Sequence, residues 1–212
     1  MLGEILLRRK AGTKKASVPL LDDGGDVVMG SLEIARHAEK SKGGSVLFPD
    51  GKDAEIEHWA EVAERLTNAG RHRFIAHVIQ DRAVQAESLP SFVPGALRGV
   101  FAPSAGMAVR FLSNKYGVSH DTAAVDAEYE RTVRAALEET REAIKVGGYV
   151  LAKDCFTFAD IALASSLQVV KPRQESQLGP ATREAWTHAK LADEFDDLLA
   201  WRDTVYAKHR SS

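Results

Sequence analysis

"KASVPLLDDGGDVVMGSLEIARHAE", residues 15–39, fits three elements into one short run. Val18 to Leu21 is a short apolar run, Val27 to Met29 is another, and Asp22-Asp23-Gly24-Gly25-Asp26 joins them. Asp-Gly between two apolar runs predicts a hairpin, because glycine supplies the positive φ that the turn requires. Ser31 then stands before Leu32, Ile34, Ala35 and Ala38, an apolar face at helical spacing. A serine at that point reads as an N-cap. Gly43-Gly44 ends the helix, and SVLFPDGKD reads as a linker.

The remainder reads as helical. From Ala54 to about Glu87 the pattern predicts one long helix or a broken pair. Trp59, Val62, Ala63 and Leu66 make one stripe, and Phe74, Ile75, Val78 and Ile79 continue it past Gly70. Gly95 to Tyr116 predicts a helix interrupted by Pro103 and Gly106. Val125, Tyr129, Val133 and Leu137 recur every four residues between Asp121 and Lys145, and Gly147-Gly148 closes that helix. A final helix runs through Leu191, Phe195, Leu198, Leu199 and Val205.

One helix start is unusually well specified. In DCFTFADIALA, Thr157 and Asp160 have the spacing of a capping box, with Phe156 and Ile161 where a hydrophobic staple sits. The box is structural: each side chain satisfies an amide of the first turn.

Composition bounds the function classes. The chain has 212 residues, 44 % hydrophobic and 27 % charged, with a formal net charge of -2. That balance argues against a nucleic-acid partner. No apolar run approaches the roughly 18 residues of a membrane span. The basic cluster of MLGEILLRRKAGTKK follows its apolar residues, the wrong order for a secretory signal, while its Arg/Lys content leaves a transit peptide open. One cysteine, Cys155, excludes an intrachain disulfide and fits a reducing cytoplasm. The basic stretch RHRFIAHVIQDR contains Asp81 and reads as a solvated helix face. His72 and His77 are five apart, not the i, i+4 spacing of two metal ligands, so no metal site is expected.

The Val-Pro hairpin, the Ser-initiated helix and the late capping box, in that order, resemble the glutathione transferase superfamily. SVPLL looks like its Val-Pro loop and GSLEIARHAE is similar to its serine-containing helix motif. LFPDGKDAEIEHW matches its linker and first long helix, and GGYVLAKDCFTFADIALA its helical-domain signature. The resemblance covers roughly residues 16–209. It implies an α+β fold: a partial thioredoxin-like, glutathione-binding domain over 1–46, a linker over 47–53 and an all-α domain over 54–212.

The resemblance also implies a ligand and an activity. Glutathione would be a substrate, its thiolate attacking a small electrophile. A cis peptide is implied at Pro19, freeing the backbone groups of Val18 to bind the cysteinyl part as an added strand would. Ser31, at a helix N-terminus, would meet the γ-glutamyl carboxylate. Lys14 and Lys15 are candidates for the glycyl carboxylate, against the plainer reading as a solvated face. Phe101, Met107, Phe111 and Tyr116 are candidates for the electrophile pocket, against the plainer reading as core. A two-fold dimer is expected by analogy.

The chain departs from the family in two places. Gly30 stands where the family has Glu or Gln, the side chain that helps hold the ligand's α-amino group. No residue matches the thiol-activating position, because the strand and helix that carry it have no counterpart. Cys155 beside the capping box reads as a small packing residue and not as its substitute. A start codon misplaced within a longer frame, residues 2–10 covering the hairpin edge, or a second subunit covering it would each account for the second departure. The first is preferred, because MLGEILLRRKAGTKK reads as the loop before the hairpin. The alternative function is a non-catalytic member of the fold, a scaffold or interaction module.

Overall fold

The computed structural model describes residue 12 and residues 18–90, 93–145 and 148–210. Within them the architecture is α+β: an antiparallel hairpin followed by nine α-helices. Strands β1 (Leu20–Asp23) and β2 (Asp26–Met29) pair in the register Leu20↔Met29 to Asp23↔Asp26. Gly24 and Gly25 form the two-residue loop with φ of 63° and 112°. This is the turn predicted for Asp-Gly between apolar runs.

Helix α1 (Ser31–Lys42) follows without a gap. The N-cap is Gly30 and not Ser31, with φ 90° and ψ 142°. Open space surrounds Gly30, so its backbone, and not its size, demands glycine: the chain must leave β2 and turn at once into a helix. Ser31 thereby becomes the first helical residue. Gly43 closes α1 in the left-handed conformation, as expected.

Residues after α1 are tied in both directions. The Glu39 carboxylate accepts the Leu47 and Phe48 amides at 2.5 and 3.1 Å. The Leu47 carbonyl accepts the Phe158 amide at 3.1 Å, and the Phe48 and Phe158 rings stack at 5.6 Å. Arg36 covers Phe48 and pairs with Asp53 (2.5 Å) and Glu57 (2.9 Å).

Helix α2 (Asp53–Val78) is the axis of the helical part. The break predicted between 54 and 87 falls at Gln80-Asp81, not at Gly70, because the Asp81 carboxylate caps α3 (Arg82–Glu87) by accepting the Ala83 and Val84 amides. Gly70 continues the helix and lies directly against Val169. Helix α4 (Gly95–Tyr116) runs unbroken through Pro103. The carbonyl that Pro103 leaves unpaired belongs to exposed Gly99, where water reaches it. Gly106 lets α4 approach Gln85, whose amide donates to the Val78 and Ile79 carbonyls.

Helix α5 (Thr122–Ile144), capped by Asp121, lays Tyr129, Val133 and Leu137 against Trp59, Val62 and Leu66 of α2. Helix α6 (Phe158–Ser166) and a following 3-10 turn (Leu167–Val169) add Leu163 and Leu167 to this core. The expected last helix is two, α8 (Ala189–Glu194) and α9 (Asp196–His209), separated at Phe195. Helix α7 (Pro180–Trp186) precedes them, with proline at its favoured first position. A small second cluster, Ile75, Ala76 and Val118, sits at the far end of α2. Among the described residues no helix is long and apolar enough to cross a membrane.

Candidate functional site

The hairpin and the start of α1 form one unit. The register that pairs Leu20 with Met29 continues by one step to Pro19 and Gly30, whose amide donates to the Pro19 carbonyl at 3.0 Å. The Val18–Pro19 peptide is cis, and Val18 is 73 % exposed.

Among the described residues no side chain caps the first turn of α1. Gly30 has no side chain to cap it, and its carbonyl accepts the Ile34 amide at 3.0 Å. The amides of Ser31, Leu32 and Glu33 precede that first intrahelical bond and face outward with the positive end of the helix dipole. Glu33 stands about 200° around the helix from Ser31, on the other side. Of the four sequence-predicted contacts, Pro19 and Gly30 are therefore paired, with Val18 and Ser31 next to them in the chain: an exposed residue on one side and, on the other, a helix start with no side-chain cap among the described residues. That arrangement can accept an extended peptide along the edge and a carboxylate at the helix end. His37 braces the unit from α1, its Nε2 lying 2.9 Å from Asp23 Oδ2. Lys14 and Lys15 lie outside the described residues.

The electrophile-pocket candidates are placed elsewhere. All four lie on α4, which packs on α3 and the carboxy-terminal part of α2. Met107 (67 % exposed), Phe111 (55 %) and Phe101 (49 %) face outward with Leu97 and Val100. They are not core. Tyr116 lines a groove between α2, α3 and α4. No hydrogen bond or ring contact joins these four residues to the hairpin among the described residues.

The capping box forms as its spacing predicts. Asp160 Oδ2 accepts the Thr157 amide at 2.9 Å and the Thr157 hydroxyl at 3.2 Å. Its other oxygen accepts the Val150 amide at 2.9 Å, a tie across the preceding loop that the motif does not reveal. Asp160 is fully buried, and burial pushes its carboxyl up against the opposing pull of these hydrogen bonds. Cys155 is a free, half-buried thiol next to Phe156, whose ring stacks on His209 at 3.6 Å.

The basic stretch is absorbed largely by packing. Asp126 of α5 accepts from Arg73 Nε at 3.0 Å and lies 2.9 Å from His77 Nε2. Arg73 also donates to the Ala185 carbonyl and lies over the Tyr129 ring. Arg71 differs: it lies over Tyr116 at the groove, a role with no signal in the local sequence because its partner is 45 positions away in the sequence. No protein-family model, no curated protein and no solved structure matches the chain.

Proposed function

We propose that the chain is a glutathione transferase-like protein that binds glutathione along Val18, Pro19, Gly30 and Ser31. The observation that carries the reading is the 3.0 Å bond from the Gly30 amide to the Pro19 carbonyl. It ties Pro19, which follows the exposed Val18, to the residue that opens α1, a helix start with no side-chain cap among the described residues. An extended tripeptide with a carboxylate at one end suits that pairing of features. The linker ties through Phe48 and the Thr157–Asp160 box support the finer fold expectation, a partial thioredoxin-like unit docked on a glutathione transferase-like helical domain.

In this reading the glutathione thiol gives its proton to solvent. The thiolate sulfur then forms a bond to the electrophilic carbon, and the leaving group departs with the electron pair of the bond that breaks. The helix N-terminus favours the anionic ligand. Conjugation of glutathione to a chromogenic chloro-nitroaromatic tests the activity. A rate above the uncatalysed reaction that falls in Ser31→Ala supports it, and a rate equal to the uncatalysed one overturns it.

A second reading, a non-catalytic interaction module of the same fold, is favoured by one observation. Leu97, Val100, Phe101, Met107 and Phe111 leave an apolar stripe on the outside of α4, and such patches mark interaction surfaces. Glutathione binding without conjugation would favour this reading over the enzyme.

A further inference from the structure

Helix α8 starts on an imidazole. The His188 Nδ1 accepts the Leu191 amide at 3.3 Å, the bond of an N-cap. A ring nitrogen accepts an N–H only when it carries no proton of its own, so this cap requires a neutral His188 with its proton on Nε2. The His188 amide also donates to the Val170 carbonyl at 2.9 Å, which ties the same residue to the end of the 3-10 turn. Just past the cap, Leu191 and Ala192 are buried in the core that holds Tyr129 and Val133.

The surroundings favour the neutral ring. It lies 5.4 Å from the Tyr129 ring, whose hydroxyl donates to the Val169 carbonyl and is kept protonated by burial. Burial, and after it the Arg73 charge on α2, holds the His188 imidazole below its ordinary value, against the opposing pull of Glu130 and Asp126 on α5. Neither carboxylate is free to serve a charged ring. Asp126 is engaged by Arg73 and His77, and Glu130 by Lys190 at 2.5 Å and Arg134 at 3.1 Å. The other ties of α8 do not change near neutral pH. Lys190 and Arg134 hold the Glu130 carboxyl below its ordinary value, and Arg134 does the same for Glu194. Arg141 donates to the Glu194 carbonyl at 2.6 Å.

We propose that His188 is a pH-sensitive latch on α8: the neutral ring holds the start of the helix, and a proton taken up from solvent at Nδ1 releases it. Protonation sets a ring N–H against the Leu191 N–H, donor against donor, and puts a positive charge at the positive end of α8. The opening is local, because α8 is six residues long and its far end stays tied to Arg134 and Arg141. A native value below the ordinary one means that the latch contributes fully above pH 6.5 and is lost as the pH falls from there through the native value. The latch does not depend on what the hairpin binds.

Two NMR readouts on the full chain test the latch. Long-range proton–nitrogen correlation spectra at about pH 7.5 should show the His188 ring protonated at Nε2 and bare at Nδ1. As the ring titrates in acid, exchange protection of the Leu191 amide, normalised to the unfolded rate, should fall about fivefold with the same midpoint, the worth of an N-cap. His188→Asn, whose side-chain oxygen caps without titrating, should keep the protection across that range, and His188→Ala should lack it throughout. His77→Gln, which removes the other imidazole on Asp126, should leave the acid response in place. A ring protonated at Nδ1 near neutral pH, protection that does not change while the ring titrates, or a folded His188→Asn with the acid loss of wild type would each overturn the proposal.

Discussion

Glu87, the last residue of α3, holds the amino end of α7 through Thr182. Its carboxylate accepts the Thr182 amide at 2.8 Å and the Thr182 hydroxyl at 2.7 Å, and the Ala181 amide at 3.0 Å. Helix α7 begins Gly179-Pro180 and has no capping side chain of its own. Its first-turn amides are satisfied from a residue far away in the sequence. Burial alone would raise the Glu87 carboxyl. The hydrogen bonds from Thr182 and Ala181 outweigh it and hold the group below its ordinary value.

A depressed native value means that Glu87 contributes stability above its unfolded value of 4.5, and that this contribution fades as the pH falls through the native value. Glu87→Gln should therefore cost about 1 kcal/mol at neutral pH, and the gap to wild type should close below pH 4.5. Gly179→Ala should act similarly, because a Cβ there meets the Glu87 carboxylate at 2.3 Å. Urea denaturation across the acid range checks both. A gap that does not change with pH would contradict the account.

Gly70 and Val169 set the spacing between α2 and the 3-10 turn. A Cβ on Gly70 falls 2.4 Å from Val169 Cβ and 2.6 Å from its Cγ1. Val169 is held in turn, its carbonyl accepting the buried Tyr129 hydroxyl at 2.8 Å. Alanine in mid-helix gains about 1 kcal/mol over glycine, while forcing atoms into a packed core costs about 1–3 kcal/mol. The contact is to a Cβ and not to a flexible chain end, so the cost wins. A Cβ–Cβ approach of 2.4 Å puts that cost in the upper part of its range, so Gly70→Ala should lower stability by a net amount of up to about 2 kcal/mol in denaturant unfolding. A stabilised variant would show that the two backbones are not this close.

Met107 and Phe111 should behave as surface residues despite their apolarity. Met107→Ser and Phe111→Ser should each change unfolding free energy by no more than about 0.5 kcal/mol. Leu66→Ala, in the fully buried stripe of α2, should cost about 2–5 kcal/mol by the same measurement. Losses of that size at Met107 or Phe111 would mean that α4 packs its outer face on something.

Local chemistry was legible in the sequence and distant pairing was not. The Gly24-Gly25 turn, the Thr157–Asp160 box and the Asp121 helix start each rest on residues within three or four positions of one another. The N-cap shifted from Ser31 to Gly30 because the hairpin's last pair demands a backbone that glycine alone adopts readily. The division at Phe195 and the presence of α7 escaped reading because the apolar pattern runs on past the break and α7 is only seven residues long. At the candidate site, the pairing of Pro19 with Gly30 follows from hairpin register. The placement of Phe101, Met107 and Phe111 does not, because α4 is apolar on two faces and periodicity cannot say which is covered. Glu87 with Thr182, and Arg71 with Tyr116, are products of tertiary packing alone.

The central claim is that the Val18–Ser31 unit binds glutathione. Titration calorimetry of the full chain with glutathione at up to several millimolar tests it most directly. Saturable binding with a Kd of about 1 mM or tighter, some 4 kcal/mol of binding free energy, weakened severalfold in Ser31→Ala, is the predicted result. No saturable heat over that range, or binding indifferent to Ser31→Ala, would contradict it.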